Sequence, residues 1–287
     1  MLRLIFLPIV VSIVLTQSLT LAEAPVIVTL TLGSEQVAQR DCQVLQISAL
    51  NTSKKLIVLD ELFPLILHGP HITVETPEKR SFRVVAMQQG IGCTTAEHKT
   101  EIKPGQSQSL FAVVMAYKHD DQDDFLFDRP GIYKFQAGVR IAGEMIVSDA
   151  QKCEVLKDSR VEWKGRQQEL LRLMEDWRWP IHGKQALENL PPGSMMSVLA
   201  ELSTASKGLL RGDEGARATW EKVRTAKGDA IGDYAAEAMA HTFIGKKRYR
   251  DAVQEVGGMK IKSERAIALE AEAKRLLNAP IVIGPVQ

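Results

Sequence analysis

Carboxylates crowd a short stretch in the first half of the sequence. Five aspartates lie between positions 119 and 128, and four of them, Asp120, Asp121, Asp123 and Asp124, flank a single glutamine. Calcium prefers oxygen-rich loops of this kind. The stretch lacks the Asp-x-Asp-x-Asp-Gly frame of a calcium loop, so a charged loop between strands is the simpler interpretation. Calcium binding therefore stays an alternative, with these four aspartates as candidate ligands.

Cysteine and histidine are the other residues that could do chemistry. Cys93 lies in a glycine-bearing loop with His98 nearby, but a thiol nucleophile also needs a third, orienting group, and no cysteine-enzyme signature surrounds it. His68 and His71 offer two imidazoles, whereas zinc sites require three or four ligands. We expect loop residues at these positions, with no catalytic residue and no cofactor. Since no constellation joins nucleophile, base and oxyanion donor, we expect that the chain is not an enzyme.

The charge balance argues against one class of partner. The 287 residues carry 36 basic and 35 acidic side chains, which gives a formal net charge of +1. A nucleic-acid-binding protein needs a basic face or a high isoelectric point, so no nucleic-acid partner is expected. The basic run Lys246, Lys247 and Arg248 is interpreted as a solvated helix junction.

The first residues have the pattern of an export signal. Arg3 precedes an apolar run from Leu4 to Leu15, and the small residues Ala22 and Ala24 follow it. This order is typical of a secretory signal peptide, which we assign to residues 1–22. The run is short for a membrane span of about 20 residues, although an uncleaved N-terminal anchor is the alternative. We expect a secreted, periplasmic or cell-envelope protein without stable membrane insertion after cleavage.

Residues 25–157 contain short apolar runs separated by turn residues. The predicted strands are Val26–Leu32, Val44–Leu50, Leu56–Leu59, Ile72–Glu75, Phe82–Met87, Leu110–Tyr117, Ile132–Ile141 and Glu144–Leu156. Ala142 and Gly143 predict a two-residue hairpin turn between the last two strands. Seven or more short strands with frequent turns favour an antiparallel sandwich.

The segment Asp128–Phe135 (DRPGIYKF) resembles the turn and tyrosine corner that open the penultimate strand of immunoglobulin-like domains. In that family the tyrosine, here Tyr133, bonds through its hydroxyl to the turn backbone. Phe135 stands where antibody domains have a cysteine, so the inter-sheet disulfide of antibodies is absent. An ordinary core position for Tyr133 is the alternative. The resemblance spans about 130 residues and implies a fold alone, because sandwiches host many functions.

Export would expose the chain to disulfide formation and glycosylation. Three cysteines in an exported chain suggest one disulfide and one spare thiol. In an immunoglobulin-like sandwich, Cys42 at the start of the second strand and Cys153 in the last would lie at the same end. The resemblance therefore implies a Cys42–Cys153 pair and a free Cys93. The tripeptide Asn51-Thr52-Ser53 matches a glycosylation sequon.

After Lys157 the apolar residues recur with a helical period. The stripe formed by Trp163, Leu170, Met174 and Trp177 predicts a helix that is buried between two domains. Ser194 is a plausible N-cap for the next helix. The further predicted helices are Met195–Lys207, Asp213–Ala226, Asp229–Gly245, Tyr249–Val256 and Ser263–Leu277. Short connections favour antiparallel neighbours.

Part of this helical region resembles tetratricopeptide repeats. The residues that carry the resemblance are Met239, Ala240, Phe243, Tyr249 and Ala252, preceded by Ala216, Trp220 and Val223. In that family small residues let paired helices approach, and the repeat period is about 34 residues. Ala236 and Met259 depart from the family pattern, and the closing proline is missing. A generic helical bundle is therefore the alternative.

These observations predict a multidomain β + α protein. The expected parts are a signal peptide at 1–22, an immunoglobulin-like β-sandwich at 25–157, an α-helical tetratricopeptide-like domain at 158–279 and a tail at 280–287. Because both families often present surfaces to other proteins, the resemblance implies an exported, non-enzymatic interaction or scaffolding protein with a protein partner. The alternatives are a protease-inhibitor-like or enzyme-accessory module that uses sandwich end loops, and a calcium-binding envelope protein.

Overall fold

The computed structural model describes residues 25–59, 71–84, 100–114, 116–119, 122–157, 194–226 and 229–279. Within these ranges thirteen strands are followed by five helices, so the protein is a mixed α+β structure. The change from strands to helices follows the predicted change of period. None of the helices in these ranges is long and apolar enough to cross a membrane.

The strands lie between residues 26 and 156. They are β1 (Val26–Leu32), β2 (Gln36–Ala38), β3 (Gln43–Asn51), β4 (Ile57–Leu59), β5 (His71–Glu75), β6 (Ser81–Val84), β7 (Thr100–Ile102), β8 (Ser107–Val114), β9 (Ala116–His119), β10 (Gln122–Phe125), β11 (Gly131–Ile141), β12 (Glu144–Val147) and β13 (Gln151–Leu156). The short strands β2, β7 and β10 were not predicted, because three or four residues carry too little alternation. The predicted strand at 144–156 is divided into β12 and β13.

The helices agree closely with the predicted ones. They are α1 (Met195–Leu210), α2 (Glu214–Ala226), α3 (Asp229–Gly245), α4 (Tyr249–Gly257) and α5 (Glu264–Leu277). Ser194 accepts a hydrogen bond from the Ser197 amide at 3.0 Å, which confirms the predicted N-cap. The predicted stripe at 163–177 lies outside the described residues.

Two sheets face each other across one hydrophobic core. Sheet A has the strand order β1–β3–β8, and sheet B has the order β2–β13–β11–β5–β6, with β12 also paired with β11. Adjacent strands are antiparallel except β2, which runs parallel to β13. The core between the sheets contains Leu45 and Ile47 from β3 and Tyr133 and Phe135 from β11. The strand pairs β4–β7 and β9–β10 lie apart from these two sheets.

The predicted hairpin turn between β11 and β12 is confirmed. Ile141 pairs directly with Glu144, so Ala142 and Gly143 form the two-residue loop. Their φ angles are 49° and 83°, as the type I′ turn of a hairpin requires.

The helices form a layer on the outer face of sheet A. Val44 and Val113, which point away from sheet B, belong to the same buried cluster as the helix residues. The rings of Phe111 on β8 and Tyr234 on α3 meet edge to face at 6.3 Å. At Gly33 the approach is so close that an added Cβ would lie 3.0 Å from Ile231. The central strand β3 is therefore buried on both of its faces.

A buried ion pair joins helices α2 and α4 within this layer. Glu255 is almost fully buried and accepts hydrogen bonds from Arg217 and from the Trp220 indole N–H. Trp220 is itself fully buried. Ala216 on α2 and Ala252 on α4 are buried as well. At these two positions the side chains that the helices direct into the interior are small.

Candidate interaction surface

The acidic stretch is partly a β-hairpin. Asp123 and Asp124 lie in β10, whose register places them opposite Lys118 and Tyr117 of β9. Asp120 and Asp121 lie outside the described residues. No group of three or more metal-ligating side chains forms in the part of the chain that the structure describes. The calcium site therefore stays a prediction, because two of its four candidate ligands lie outside the described residues.

The predicted disulfide is corrected, because Cys42 and Cys153 are free, buried thiols. Cys42 belongs to the cluster under the helices, whereas Cys153 belongs to the core between the sheets. Gln43 lies between the two environments and donates from Nε2 to Cys153 Sγ at 3.4 Å. Burial raises the pKa of Cys153 to about 11 and that of Cys42 well above its usual value. Both thiols therefore stay protonated near neutral pH.

The sequon at Asn51 is not accessible. Asn51 is fully buried, and its Nδ2 donates to the carbonyl oxygens of Lys55 and Ile102 at 2.8 and 2.7 Å. Its Oδ1 accepts from Ser53. A glycan on this nitrogen would break both hydrogen bonds to carbonyls, so the side chain serves the fold.

Few of the other predicted candidates lie in the described ranges. Cys93, His98 and His68 fall outside them, and His71 begins β5. In the basic run, Lys246 and Lys247 are exposed as predicted, but Arg248 has a structural role. Its guanidinium donates to Asp251 at 2.6 Å and to the Leu209 carbonyl at 2.6 Å, which satisfies a carbonyl at the end of α1.

A buried carboxylate that the sequence did not single out joins the two-sheet part to the helical layer. Asp41, 1% exposed, accepts from the Met195 amide at 2.6 Å through Oδ2. Its Oδ1 accepts from the Met196 amide at 2.9 Å and the Cys42 amide at 2.8 Å. The amides at a helix N-terminus lack partners within the helix, and the helix dipole favours negative charge there. Asp41 thus caps α1 from the other layer.

Burial and hydrogen bonding act on Asp41 in opposite directions. Burial raises the pKa of its carboxyl to about 6, while the amide donors of Met196, Cys42 and Met195 lower it. The carboxylate is therefore charged at neutral pH and becomes neutral in mild acid. No local pattern could have revealed this role, because Asp41 and Met195 are separated by 154 positions.

The surface that remains open is the free edge of β1. Among the described residues, β1 pairs only with β3. Two hydrogen bonds at the ends of β1 show which of its residues bond to β3. They run from Gly33 N to Val44 O, at 2.7 Å, and from Thr52 N to Pro25 O, at 3.1 Å. Because antiparallel bonding alternates along a strand, the odd-numbered residues face β3. Val26, Val28, Leu30 and Leu32 therefore direct their N–H and C=O groups to the free edge.

The side chains along this edge are apolar or small and uncharged. Ile27 is 49% exposed, and Thr29 and Thr31 are exposed beside it. The seven residues of β1 include no charge, no proline and no glycine. We name the free edge of β1, with the exposed side chains of Ile27, Thr29 and Thr31, the open flank.

The other edges of the two sheets are protected in the ways that natural sheets use. β2 has three residues, β12 has four and begins with Glu144, and β6 has four and carries Arg83. The edge strand β8 of sheet A lies against helix α5. Within the described ranges, β1 is thus the one long sheet edge without a cover, a charge or a proline. A long, uncharged edge is a template for another strand.

Comparison with known proteins gives only remote likenesses. No protein-family model matches the chain, and no curated protein matches it. Among solved structures, a Northeast Structural Genomics Consortium target matches at 13% identity and a TM-score of 0.26, over 48% of this chain and 90% of that one.

Two further solved structures are enzymes. A β-glucosidase from Listeria innocua matches at 11% identity and a TM-score of 0.27, over 46% of this chain and 16% of that one. The alkylpurine DNA glycosylase AlkC of Pseudomonas fluorescens matches at 12% and 0.27, over 47% of this chain and 31% of that one. Enzyme chains are thus among the matches, and the expectation that this protein is not an enzyme does not stand. Matches with TM-scores this low assign the chain no activity.

Proposed function

We propose that this chain is an exported interaction or scaffolding protein that binds another protein through the open flank. The observation that carries the proposal is the unprotected edge of β1. Four residues there offer free backbone donors and acceptors, and an added strand from a partner would satisfy them. Ile27 supplies exposed apolar surface beside the added strand.

We further propose that the two-sheet part is an immunoglobulin-like sandwich. Its support is the strand order, since β1, β3 and β8 correspond to strands A, B and E of that fold, and β13, β11 and β5 to strands G, F and C. The Tyr133 hydroxyl donates to the Arg129 carbonyl at 3.1 Å, as in a tyrosine corner. The ring of Phe127 packs edge-on against Tyr133 at 5.3 Å.

For the helical layer, the proposed relationship is to tetratricopeptide helix pairs. Buried Ala216, Ala240 and Ala252 support it, because small residues at these positions let paired helices approach. The fully buried Trp220 and Phe243 fill the space between the helices. Repeat helices of this kind stack into layers that present surfaces to other proteins.

Export is the part of the proposal that rests on the N-terminal sequence. The order of Arg3, the apolar run and the small residues at 22 and 24 supports a cleaved signal peptide. The N-terminal residue of the protein isolated from the cell envelope or medium would be determined by mass spectrometry. An N-terminus at Glu23 is expected, and an intact Met1 would contradict cleavage.

Binding at the open flank is tested by site-specific photo-crosslinking in cells that produce the protein. A photoreactive residue at Ile27 should give a discrete adduct, whereas one at Thr73, exposed on the outer face of sheet B, should give none. Thr29→Lys places a charge on the edge and should abolish the adduct at position 27, while Thr73→Lys should leave it unchanged. Equal adducts from both positions, or none from Ile27, would overturn the proposal.

A further inference from the structure

We propose that the partner at the open flank is a second copy of this chain, whose β1 pairs antiparallel with β1 of the first. The pairing would join the two three-stranded sheets A into one six-stranded sheet. The inference rests on the proposed function of the open flank and names the partner. It follows from the backbone register, the side chains and the symmetry of the edge.

The backbone register supports pairing about a two-fold axis at Thr29. Such an axis places Val28 opposite Leu30 of the second copy, and Val26 opposite its Leu32. These four residues are the ones whose N–H and C=O groups point to the free edge. Each directly opposed, hydrogen-bonded pair exchanges two bonds. The symmetric register therefore satisfies every free backbone group of the edge.

The side chains of β1 fit the same register. Thr29 meets Thr29 of the second copy as a non-hydrogen-bonded pair, in which opposed side chains lie closest, and threonine pairs are favourable there. Ile27 meets Thr31 of the second copy. No like charges meet across the axis, because the seven residues carry no charge. On the inner face, Val28 and Leu30 would join the hydrophobic cores of the two copies.

Symmetry favours a second copy over an unrelated partner strand. A two-fold contact uses the same patch on both chains and closes, which leaves no β1 edge free. The outer edges of the joined sheet would be the two β8 strands, each lying against α5. Cleavage after Ala22, as proposed, would leave three residues before β1, too few for the N-terminal segment itself to form a strand along this seven-residue edge.

The oligomeric state of the purified mature protein is the first test. Light scattering after size exclusion should give twice the mass of one chain. Thr29→Lys brings two like charges face to face at the axis and should give the mass of one chain. The matched variant Thr73→Lys adds the same charge to the outer face of sheet B and should keep the doubled mass.

Cysteine crosslinking tests the register itself. Thr29→Cys should form a disulfide-linked dimer on mild oxidation, because directly opposed residues in a non-hydrogen-bonded pair lie within disulfide reach. Thr31→Cys faces Ile27 of the second copy and should give no dimer. Both variants are made in a Cys93→Ser background, because Cys93 lies outside the described residues. That background alone should give no dimer, since Cys42 and Cys153 are buried.

The outcomes separate the two proposals. A doubled mass that Thr29→Lys abolishes, together with the Thr29→Cys crosslink, supports the second copy. A single-chain mass at every concentration, or a doubled mass that persists in the Thr29→Lys variant, overturns the second-copy proposal. In that case an Ile27 adduct with a partner of a different mass would still support the proposed function.

Discussion

The outer faces of the two sheets differ in how far they are buried. On sheet A, the outward-facing Val44 and Gln46 of β3 are buried under the helical layer, Gln46 being 3% exposed. On sheet B, the outward-facing Ile132 of β11 is exposed and Lys134 is half-buried. Buried and more exposed side chains alternate along much of this strand, as expected for a sheet with one solvent-exposed face. Two strands with similar alternation thus differ in burial because, in the part of the chain that the structure describes, the helices cover sheet A alone.

A second contrast lies within sheet A. At its covered end, Ile231 of α3 packs directly against Gly33, just beyond β1. From Thr31 back to Ile27 the outward-facing side chains of the same strand are exposed. The helical layer thus protects one end and one edge of sheet A and leaves β1 available. The covered part is therefore where substitutions should change stability, and the open part is where the proposed binding would take place.

The largest expected effect comes from removing the carboxylate that links the layers. Asp41→Ala leaves the buried amides of Met195, Met196 and Cys42 without their acceptor, which should lower the free energy of unfolding by about 3 kcal/mol. Urea denaturation measures the loss. Ser194→Ala removes the cap that lies on the helix side and should cost about 1 kcal/mol. An equal loss in the two variants would contradict the linking role of Asp41.

Acidity should change the same contact in a defined direction. The pKa of Asp41 is about 6 in the folded protein and 3.8 without the fold, so the folded state binds the proton more tightly. The stability that comes from this tighter proton binding is fully present below pH 3.8 and is lost as the pH rises through 6. Between pH 4 and 6.5 the loss should reach about 2 kcal/mol.

The control for this pH dependence is Asp41→Asn, which cannot titrate. The difference in unfolding free energy between wild type and Asp41→Asn isolates Asp41 from the other carboxyl groups of the protein. Wild type should gain stability relative to the variant as the pH falls from 6.5 to 4. A difference that is constant over this range would show that folding does not raise the pKa of Asp41.

Local sequence patterns predicted the strands and helices but not which of them pack against one another. The helix α3 was predicted with its exact bounds, and β1 likewise, because their periods are complete within each segment. For β3 the same reasoning placed Leu45, Ile47 and Ala49 on the buried face. It could not show that Gln46 is buried too, since the helices that cover it begin about 150 residues later. The Asp41 contact was missed for the same reason.

A matched pair of truncations measures the two outer faces directly. Val44→Ala removes methyl groups from the packed face of sheet A and should lower the unfolding free energy by about 2 kcal/mol. Ile132→Ala removes a larger portion of a side chain that is half exposed on sheet B, and should cost less than about 1 kcal/mol. Chemical denaturation of both variants would compare them. A smaller loss at Val44 would contradict a covered outer face on sheet A.

The smallest expected effect tests the turn that opens β11, on the inner side of sheet B. Tyr133→Phe keeps the ring against Phe127 and removes only the hydroxyl that donates to Arg129, so the free energy of unfolding should fall by about 1 kcal/mol. Tyr249→Phe removes the hydroxyl of a half-buried tyrosine at the start of α4, and should change stability by less than about 0.5 kcal/mol. If both variants lost equally little, the Tyr133 hydrogen bond would contribute nothing to the turn, and the immunoglobulin-like proposal would lose one of its two supports. A selective loss at Tyr133 would instead assign the stability of this turn to the same bond that marks a tyrosine corner, independently of what covers either sheet.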